Sequence, residues 1–399
     1  MNKKYDYIII GAGIVGLTIA YALKKKNPSN DILVIEKEPA IARHASGRNS
    51  GVLHAGFYYT ADSLKARFTI LGNRAMKEYC RSKNIPINEC GKLVVAQNEA
   101  ELEQLYELER RGIKNGSSVR LIESAKAEEI EPNIHTFRKA LHSPLTASVD
   151  PKEVCRSLQA DLQNMQVQFS FNAGYLSRKG NTIQTNQGDF SAEKIINCAG
   201  LYADKIAHDF GFGKQYTIVP FKGIYLEYSK NKTDIKTNIY PVPNLKNPFL
   251  GVHFTKTSTG KIKIGPTAIP AFWRENYGGV ENFKLSELFS IGFHEAKLFL
   301  TNSFGFRNLA FDEIKKYNRG HFIQLATSLV KDIDPKGFGQ FLAPGIRAQL
   351  LHKKTLKLLQ DFVVESDGSS VHVLNAVSPA FTCAFPFADF VVKNHIDPS

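Results

Sequence analysis

The chain has 399 residues, of which 43% are apolar and 22% charged, which is ordinary for a soluble globular protein and excludes a disordered or fibrous one. A single core stops growing at roughly 250–300 residues, so we expect about two domains. The formal net charge of +13 favours an acidic partner: a phosphate-rich cofactor, a carboxylate substrate or an anionic membrane surface. No helix-turn-helix, zinc or RNA-binding signature accompanies the charge, so nucleic acid is not expected.

The cysteines are far apart in the sequence: Cys80, Cys90, Cys155, Cys198 and Cys383. Their number is odd and none form a CxxC pair, which predicts neither a disulfide framework nor a metal site. Free buried thiols are typical of a reducing compartment. We therefore expect a cytoplasmic protein, either in solution or peripheral at the inner face of the cell membrane.

The first forty residues predict one βαβ unit. An isoleucine-rich buried strand at 5–10 leads into a glycine turn at 11–16. Apolar residues at helical spacing follow over 14–25, and a second buried strand occupies 31–35.

Gly11, Gly13 and Gly16 form a GxGxxG motif directly between this strand and this helix. The glycines permit a tight turn, a close approach of the backbone to a pyrophosphate and close packing of helix on strand. Glu36, at the end of the second strand, is placed to accept hydrogen bonds from ribose hydroxyls. Together these features predict a dinucleotide site; a glycine-rich turn of another βαβ protein would not require an acid at position 36.

Two observations favour FAD over NAD. The motif has no second copy for a nicotinamide cofactor, and Cys198-Ala199-Gly200 offers another close-approach turn far along the chain. A ligand held by distant segments is more typical of a permanently bound flavin.

The rest of the chain predicts further elements. Residues 45–60 are glycine-rich and then aromatic, which suits a loop pressed against a ligand. We predict helices at 64–83, 99–111 and 151–164, strands at 91–96, 167–171 and 194–197, alternating strands over 216–266, mostly helix over 284–333, and glycine turns with strands over 336–365.

The chain resembles the D-amino-acid-oxidase-like superfamily of FAD oxidoreductases, and within it the L-2-hydroxyglutarate dehydrogenases. The matching stretches span nearly the whole chain: 47–59, 90–93, 198–202, 219–223, 238–243, 251–255 and 344–349.

This resemblance implies a mixed α/β and α+β fold, in which an antiparallel-sheet substrate domain is inserted into a Rossmann-type FAD-binding domain. The expected FAD-binding domain comprises residues 1–85, 145–215 and 335–399, and the substrate domain 86–144 and 216–334. The implied reaction is oxidation of L-2-hydroxyglutarate, a small dicarboxylate, to 2-oxoglutarate, with electrons passing to a membrane quinone.

A base must take the substrate's hydroxyl proton, and histidine suits this role because its ordinary pKa is near 6.5. His54, in the glycine-rich loop, is the first candidate, and His253, in the inserted sheet, is the second. The alternative for each is a structural hydrogen-bonding role.

The substrate's two carboxylates need cationic or multiply donating partners. Arg347 is the best candidate, because a guanidinium binds a carboxylate through two parallel hydrogen bonds. Lys222, Tyr225 and Tyr240 are candidates for the second carboxylate. The alternative for Arg347 and Lys222 is a solvated salt bridge.

We expect the following residues to contact FAD: Gly11, Ala12, Gly13, Ile14, Gly16, Glu36, Lys37, Arg48, Asn49, Ser50, Tyr175, Cys198, Ala199, Gly200, Gly345, Ser378, Pro379 and Ala380.

The chain departs from the family pattern in several places. Lys222 and Ile224 replace an arginine and an aspartate, and Val377 replaces a proline. Pro386 is expected to interrupt a small-residue helix under the flavin, because an interior proline costs about 3 kcal/mol. Two other functions remain open: an amino-acid-oxidising flavoenzyme of the same superfamily, and a flavin-binding or RNA-associated protein without redox activity.

Overall fold

The computed structural model describes residues 3–229, 235–243 and 249–397. The α-helices in these ranges are α1 (Ile14–Lys26), α2 (Leu64–Ser82), α3 (Glu99–Lys114), α4 (Ser124–Ile130), α5 (Pro151–Asn164), α6 (Ala203–Asp209), α7 (Leu285–Thr301), α8 (Phe306–Lys315), α9 (Arg319–Thr327) and α10 (Ala380–Val391). Within the described part of the chain, no helix combines the length and the apolar composition that crossing a bilayer requires.

The strands in the same ranges are β1 (Lys4–Ile10), β2 (Ile32–Ile35), β3 (Val52–Leu53), β4 (Ile87–Asn88), β5 (Lys92–Val95), β6 (Arg120–Glu123), β7 (Lys139–Ser143), β8 (Ala147–Val149), β9 (Gln168–Ser170), β10 (Tyr175–Lys179), β11 (Thr182–Thr185), β12 (Gly188–Asn197), β13 (Tyr216–Gly223), β14 (Leu226–Tyr228), β15 (Asn238–Pro241), β16 (His253–Lys256), β17 (Ile262–Gly265), β18 (Ile269–Pro270), β19 (Phe338–Phe341), β20 (Gly345–His352), β21 (Val363–Ser366) and β22 (Ser370–Asn375).

The chain divides into two compact units, each built from separate segments. The first unit contains residues 1–49, 151–220 and 347–399, and the second contains 50–150 and 221–346. These limits differ from the domains expected from the sequence, chiefly because residues 50–85 lie in the second unit. The reason is local pairing: β3 and β4 both pair with β8 in one small sheet, and α2 packs on β4.

The first unit is organised by a largely parallel sheet with the path β10-β11-β12-β1-β2-β9, in which β22 also pairs with β12. Strand β1 runs parallel to both β2 and β12, as expected of a βαβ unit. Its last residues, Ile8, Ile9 and Ile10, are buried because helices cover the sheet. Helix α1 packs against α5 and α10.

The turn after β1 presses two backbone segments together. Gly11 has φ +106, and a Cβ atom on it would lie 2.6 Å from the Cys198 carbonyl oxygen at the end of β12. A Cβ atom on Gly16 would lie 2.1 Å from the Gly11 carbonyl oxygen. Only glycine fits at either position, so the motif is required by packing as well as by any ligand.

Helix α10 corrects one expectation. Pro386 lies inside the helix, which continues to Val391. A proline has no N–H to donate to the carbonyl four residues earlier. The burial of the neighbouring Cys383, Phe387 and Ala388 holds the helix together across that gap.

The second unit is organised by an eight-stranded sheet in the order β19-β14-β17-β16-β15-β5-β7-β6. All its pairs are antiparallel except β15 with β5. One face is apolar: Leu93, Ile239, Phe254 and Ile264 pack there with Phe322 of α9. Because side chains alternate along a strand, the intervening residues of β5, β15 and β16 lie on the opposite face.

The crowding at Gly11 is testable. We expect Gly11→Ala to lower the free energy of unfolding by at least about 2 kcal/mol, because the methyl group meets the Cys198 carbonyl in addition to a strained φ. Urea unfolding midpoints measure this loss.

Gly188→Ala is the matched control. Its φ is +113, close to that of Gly11, but a Cβ atom there meets nothing within 4 Å. We expect a loss of only about 1 kcal/mol from the backbone alone. Equal losses in the two variants would contradict the steric explanation.

Candidate functional site

The start of helix α1 is suited to binding an anion, because the first N–H groups of a helix have no partner within it. Its N-cap residue, Gly13, has no side chain that could cap those groups. The Ile14 N–H donates a hydrogen bond to Ser46 Oγ at 2.8 Å. Ser46 therefore links the 45–47 turn to the glycine motif.

Glu36 holds the glycine turn through its carboxylate. Oε2 accepts a hydrogen bond from the Ala12 N–H at 2.8 Å, and Oε1 accepts one from the Glu38 N–H at 3.0 Å. Each carboxylate oxygen has a further lone pair, so Glu36 can still accept ribose hydroxyls. It thus combines a backbone role with the ligand role expected from its position.

The Cys198-Ala199-Gly200 turn lies beside the first turn, as two parallel strands end together. Ile10 pairs with Asn197, and the Cys198 N–H donates to the Ile10 carbonyl at 2.9 Å. The Ala199 N–H donates to Asn197 Oδ1 at 3.2 Å. Burial raises the pKa of the Cys198 thiol far above its usual range, so this cysteine stays protonated.

These features together fit an adenine dinucleotide. Two backbone turns meet at the carboxyl ends of parallel strands, a helix begins there, and an acid follows the adjacent strand. At Gly11 and Gly16 the neighbouring backbone lies so close that no side chain could replace the hydrogen.

Two residues predicted to contact the cofactor, Arg48 and Asn49, donate hydrogen bonds to backbone carbonyls of the loop in which they lie. Arg48 Nε donates a hydrogen bond to the Arg43 carbonyl at 2.7 Å. Asn49 Nδ2 donates to the Ala45 and Ser46 carbonyls at 3.2 and 2.9 Å. Both side chains therefore fix the backbone of the loop that carries Ser46.

The remaining predicted contacts are spread over both units. In the first unit, Lys37 forms an ion pair with Glu38, and Tyr175 Oη donates to Asp209 at 3.1 Å. The others lie at the start of α10 in the first unit (Ser378, Pro379, Ala380) or in the second unit (Ser50, Gly345).

The polar face of the second unit's large sheet brings together residues from three adjacent strands. The pairing of Ile239 with Phe254 places His253 opposite Tyr240. Their rings stack with centroids 3.6 Å apart and planes 16° from parallel. His253 Nδ1 lies 2.8 Å from the Gly251 carbonyl oxygen, which fixes the orientation of its ring.

Lys92 of β5 is completely buried on this face. Its Nζ lies 4.9, 4.8 and 4.4 Å from the ring centroids of Phe57, Tyr58 and Tyr240. The described residues offer this Nζ no hydrogen bond. Burial lowers the pKa of Lys92 to about 7. The three rings offset only part of the cost of burying the charge, so an anionic ligand would stabilise it.

His54 lies in the same unit, on an irregular segment directly after β3. Side-chain amides fix that segment: Asn73 Nδ2 donates to the Leu53 and His54 carbonyls, each at 3.1 Å. Asn115 Nδ2 donates to the Gly56 carbonyl at 2.9 Å. The backbone around His54 is thus held by helix α2 and by the residue that follows α3.

The environment of His54 keeps its imidazole neutral. Burial lowers the pKa of His54 well below its ordinary value, and the positive charges of nearby Lys92 and His253 lower it further. A neutral imidazole at physiological pH is the form that accepts a proton.

The other residues predicted to bind the substrate carboxylates are Lys222, Tyr225 and Arg347. Lys222 is buried in β13, where burial lowers its pKa, and its Nζ lies 3.4 Å from Asn276 Oδ1. Tyr225 is also buried, with the Lys263 Nζ 5.0 Å from its ring centroid. Arg347 is half-buried in β20 and belongs to the first unit.

The sequence analysis assigns no individual role to three residues of these clusters: Ser46, Tyr58 and Lys92. Ser46 and Tyr58 lie in the glycine-rich and aromatic segment 45–60, and Lys92 lies in the stretch 90–93 that matches the family. The available signal was a lysine directly before the apolar run Leu93–Val95, since a charge at the start of a buried strand needs compensation. Nothing in the sequence marked Tyr58 as its neighbour.

Comparison with known proteins places this geometry in context. The family model described as FAD dependent oxidoreductase matches residues 6–334. The L-2-hydroxyglutarate dehydrogenase of Indibacter alkaliphilus is 36% identical, covering 98% of this chain and 98% of that protein. The mitochondrial enzyme of the same name from Dictyostelium discoideum is 35% identical, covering 97% and 92%.

Solved structures share the fold. The L-α-glycerophosphate oxidase of Mycoplasma pneumoniae with FAD bound superposes with a TM-score of 0.75 at 22% identity, covering 100% of this chain and 97% of that one. Glycine oxidase from Geobacillus kaustophilus gives a TM-score of 0.73 at 15% identity, covering 100% and 96%. The fold class expected from the sequence is confirmed. The chain belongs to the FAD-dependent oxidoreductase family, and FAD is its cofactor.

Proposed function

We propose that this protein oxidises L-2-hydroxyglutarate to 2-oxoglutarate. Relatives that carry the name L-2-hydroxyglutarate dehydrogenase match nearly the whole chain. The observation that carries the proposal is the buried ammonium of Lys92, without a hydrogen-bonding partner among the described side chains, beside a histidine held neutral. A 2-hydroxy acid supplies a carboxylate for the lysine and an alcohol proton for the neutral histidine.

The reaction removes two hydrogens from the substrate. Bound FAD would supply the acceptor for the hydride that leaves C2 of the alcohol. His54 takes the hydroxyl proton, so that the C–O bond becomes the carbonyl of the product. Lys92 holds one carboxylate through its charge, and in a site without water this attraction is stronger than at the surface.

The stacked rings of His253 and Tyr240 contact the substrate from the side of strands β15 and β16 and position it. Because Tyr240 also contacts the Lys92 ammonium, it connects the lysine to His253. We assign Lys222 to the second carboxylate because it is a second buried lysine of the same unit, on strand β13 of a separate three-stranded sheet. Arg347 is retained as a ligand on the basis of the resemblance.

The cofactor contacts of the first unit complete the proposal. We assign the pyrophosphate to the start of α1, around Gly13 and Ile14, and the adenosine ribose to Glu36. The electrons are proposed to leave through a membrane quinone, which the basic surface of the protein would favour because the membrane surface is anionic.

Substrate identity is tested by anaerobic mixing of the FAD-loaded protein with single compounds. We expect L-2-hydroxyglutarate to bleach the flavin absorbance. D-2-hydroxyglutarate, glycine and glycerol 3-phosphate should leave it unchanged. The last two compounds represent solved proteins of the same fold. Bleaching by an amino acid alone would instead make the protein an amine oxidase.

His54→Ala tests the base. We expect flavin reduction by L-2-hydroxyglutarate to slow about a hundredfold, because the hydroxyl proton loses its acceptor, while FAD remains bound. Stopped-flow absorbance measures the rate. His142→Ala is the control, because His142 is a half-buried histidine of the same unit, on β7 of the eight-stranded sheet. If His54→Ala reduces the flavin at the wild-type rate, His54 is not the base.

The pKa of Lys92 predicts a pH dependence. The substrate is a dianion above pH 6, whereas Lys92 loses its charge as the pH rises through about 7. We therefore expect substrate affinity to fall above about pH 7 by up to about tenfold per pH unit, because the lysine pKa of the free protein sets where the fall begins. A bound carboxylate raises the lysine pKa, so the affinity levels off only above the higher pKa of the complex. The apparent dissociation constant from stopped-flow reduction reports the effect.

The Lys92→Met variant should bind the substrate weakly at pH 6, and its affinity should not fall as the pH rises through about 7. The control is Lys114→Met, because Lys114 is exposed at the end of α3. The same pH profile in Lys92→Met and in the wild type would remove Lys92 from the site.

A further inference from the structure

Tyr58 is a half-buried residue of the second unit whose hydroxyl oxygen is fully buried. It follows Phe57 on the irregular segment that also carries His54. The described residues offer the Tyr58 Oη no hydrogen bond. A buried hydroxyl in that state costs free energy, so such groups are rare in folded proteins. A ligand that accepts a hydrogen bond would recover that cost.

Tyr58 lies beside Lys92, the buried lysine of β5. The Lys92 Nζ is 4.8 Å from the centroid of the Tyr58 ring and 4.4 Å from that of Tyr240. An ammonium can donate to a phenol oxygen, yet neither the Lys92 Nζ nor the Tyr58 Oη has a hydrogen bond to any described residue. One ligand could therefore accept hydrogen bonds from both groups.

The backbone on both sides of Tyr58 is fixed. Asn115 Nδ2 donates hydrogen bonds to the Gly56 and Tyr59 carbonyls, each at 2.9 Å. The Tyr58 ring packs on the Phe57 ring with centroids 4.1 Å apart. A side chain that follows α3 thus holds the tyrosine in place before a ligand binds. A donor that is ordered in advance loses little conformational entropy on binding.

The Tyr58 hydroxyl stays protonated and can donate. Burial raises the pKa of Tyr58 well above its usual value, and the nearby Tyr240 and Tyr59 raise it further. The phenol therefore keeps its proton through the pH range in which Lys92 loses its charge. A carboxylate only accepts hydrogen bonds and has two oxygens. An ammonium and a phenol side by side therefore suit one carboxylate.

His54 determines which substrate carboxylate this is. The charge of Lys92 lowers the pKa of His54, so the two side chains are near each other. In a 2-hydroxy acid the hydroxyl group and the first carboxylate are bonded to each other's neighbouring carbon atoms. Because His54 is the base proposed for the hydroxyl proton, the carboxylate at Lys92 is the one bonded to C2.

We propose that Tyr58 is a further substrate-binding residue, whose hydroxyl donates a hydrogen bond to the carboxylate bonded to C2, the group that Lys92 also holds. The inference rests on the proposed function, because it requires a 2-hydroxy acid as the substrate. An alcohol without that carboxylate would leave both buried donors unpaired, which is costly. Tyr58 thus makes the site selective for a carboxylate next to the reacting carbon.

Equilibrium binding of two 2-oxo acids to the FAD-loaded protein tests this role. The probes are 2-oxoglutarate and pyruvate, which share the 2-oxo acid end and differ in the second carboxylate. The change in flavin absorbance reports binding. We expect Tyr58→Phe to bind both compounds about tenfold more weakly, because one hydrogen bond to a charged group is lost. The factor should be the same at about pH 6 and about pH 8, since the phenol is protonated at both.

The thermal midpoint of the substrate-free protein separates binding from a structural role. Tyr58→Phe removes a buried hydroxyl without a described partner and keeps the ring that contacts Lys92. We therefore expect the midpoint to rise, whereas loss of a hydroxyl that stabilises the fold would lower it.

Tyr59→Phe is the matched control. Tyr59 is the next tyrosine on the segment, and its ring centroid lies 5.9 Å from the Nζ of a different lysine, Lys65. This variant should bind both 2-oxo acids as the wild type does.

Three results would overturn this inference alone. The first is a Tyr58→Phe variant that binds both compounds as tightly as the wild type. The second is a loss confined to 2-oxoglutarate, which would place Tyr58 at the other carboxylate. The third is a loss that disappears at about pH 8, which would assign the effect to the charge of Lys92. Wild-type protein that binds neither compound would instead overturn the proposed function together with this inference.

Discussion

The close approach of two backbone segments at Gly11 and Cys198 is the constraint on which the first unit depends. A carbonyl oxygen occupies the space of a Cβ atom, so the ends of β1 and β12 can meet only at a glycine. That meeting places the start of α1, the Glu36 carboxylate and the second turn at one edge of the sheet. Packing therefore requires glycine at the position where close approach of a pyrophosphate would require it as well.

In the second unit, the constraint is a charged side chain, Lys92, buried on one face of a sheet. Lys92 lies on a strand whose next residue, Leu93, belongs to the apolar cluster on the opposite face. The sheet tolerates the lysine because three aromatic rings contact its ammonium and because its pKa is low. Burial lowers the pKa of His54, and the nearby charge lowers it further, so the imidazole stays neutral. The buried cation is suited to binding an anion, and the neutral imidazole is suited to accepting a proton.

Sequence patterns predicted the helices and turns that depend on interactions between residues close together in the chain. The glycine motif, the helix after it and the helix beginning at Pro151 follow from turn chemistry and capping, and the structure has them within a few residues. The cluster around Lys92 could not be predicted, because it depends on the register of β5 with β15 and β16, which lie far from β5 in the chain. Periodicity in α7 reveals two faces, but the buried one carries Glu295, contrary to the usual rule.

The segment that carries His54 has one more consequence. It has no regular structure of its own, and amide groups from Asn73 and Asn115 hold its carbonyls in place. Changes in α2 or near the end of α3 would therefore move the imidazole without altering any group that meets the substrate. In a directed-evolution experiment on this enzyme, gains and losses of turnover should accumulate at such remote supporting positions, and reversions at one of them should rescue damage at another.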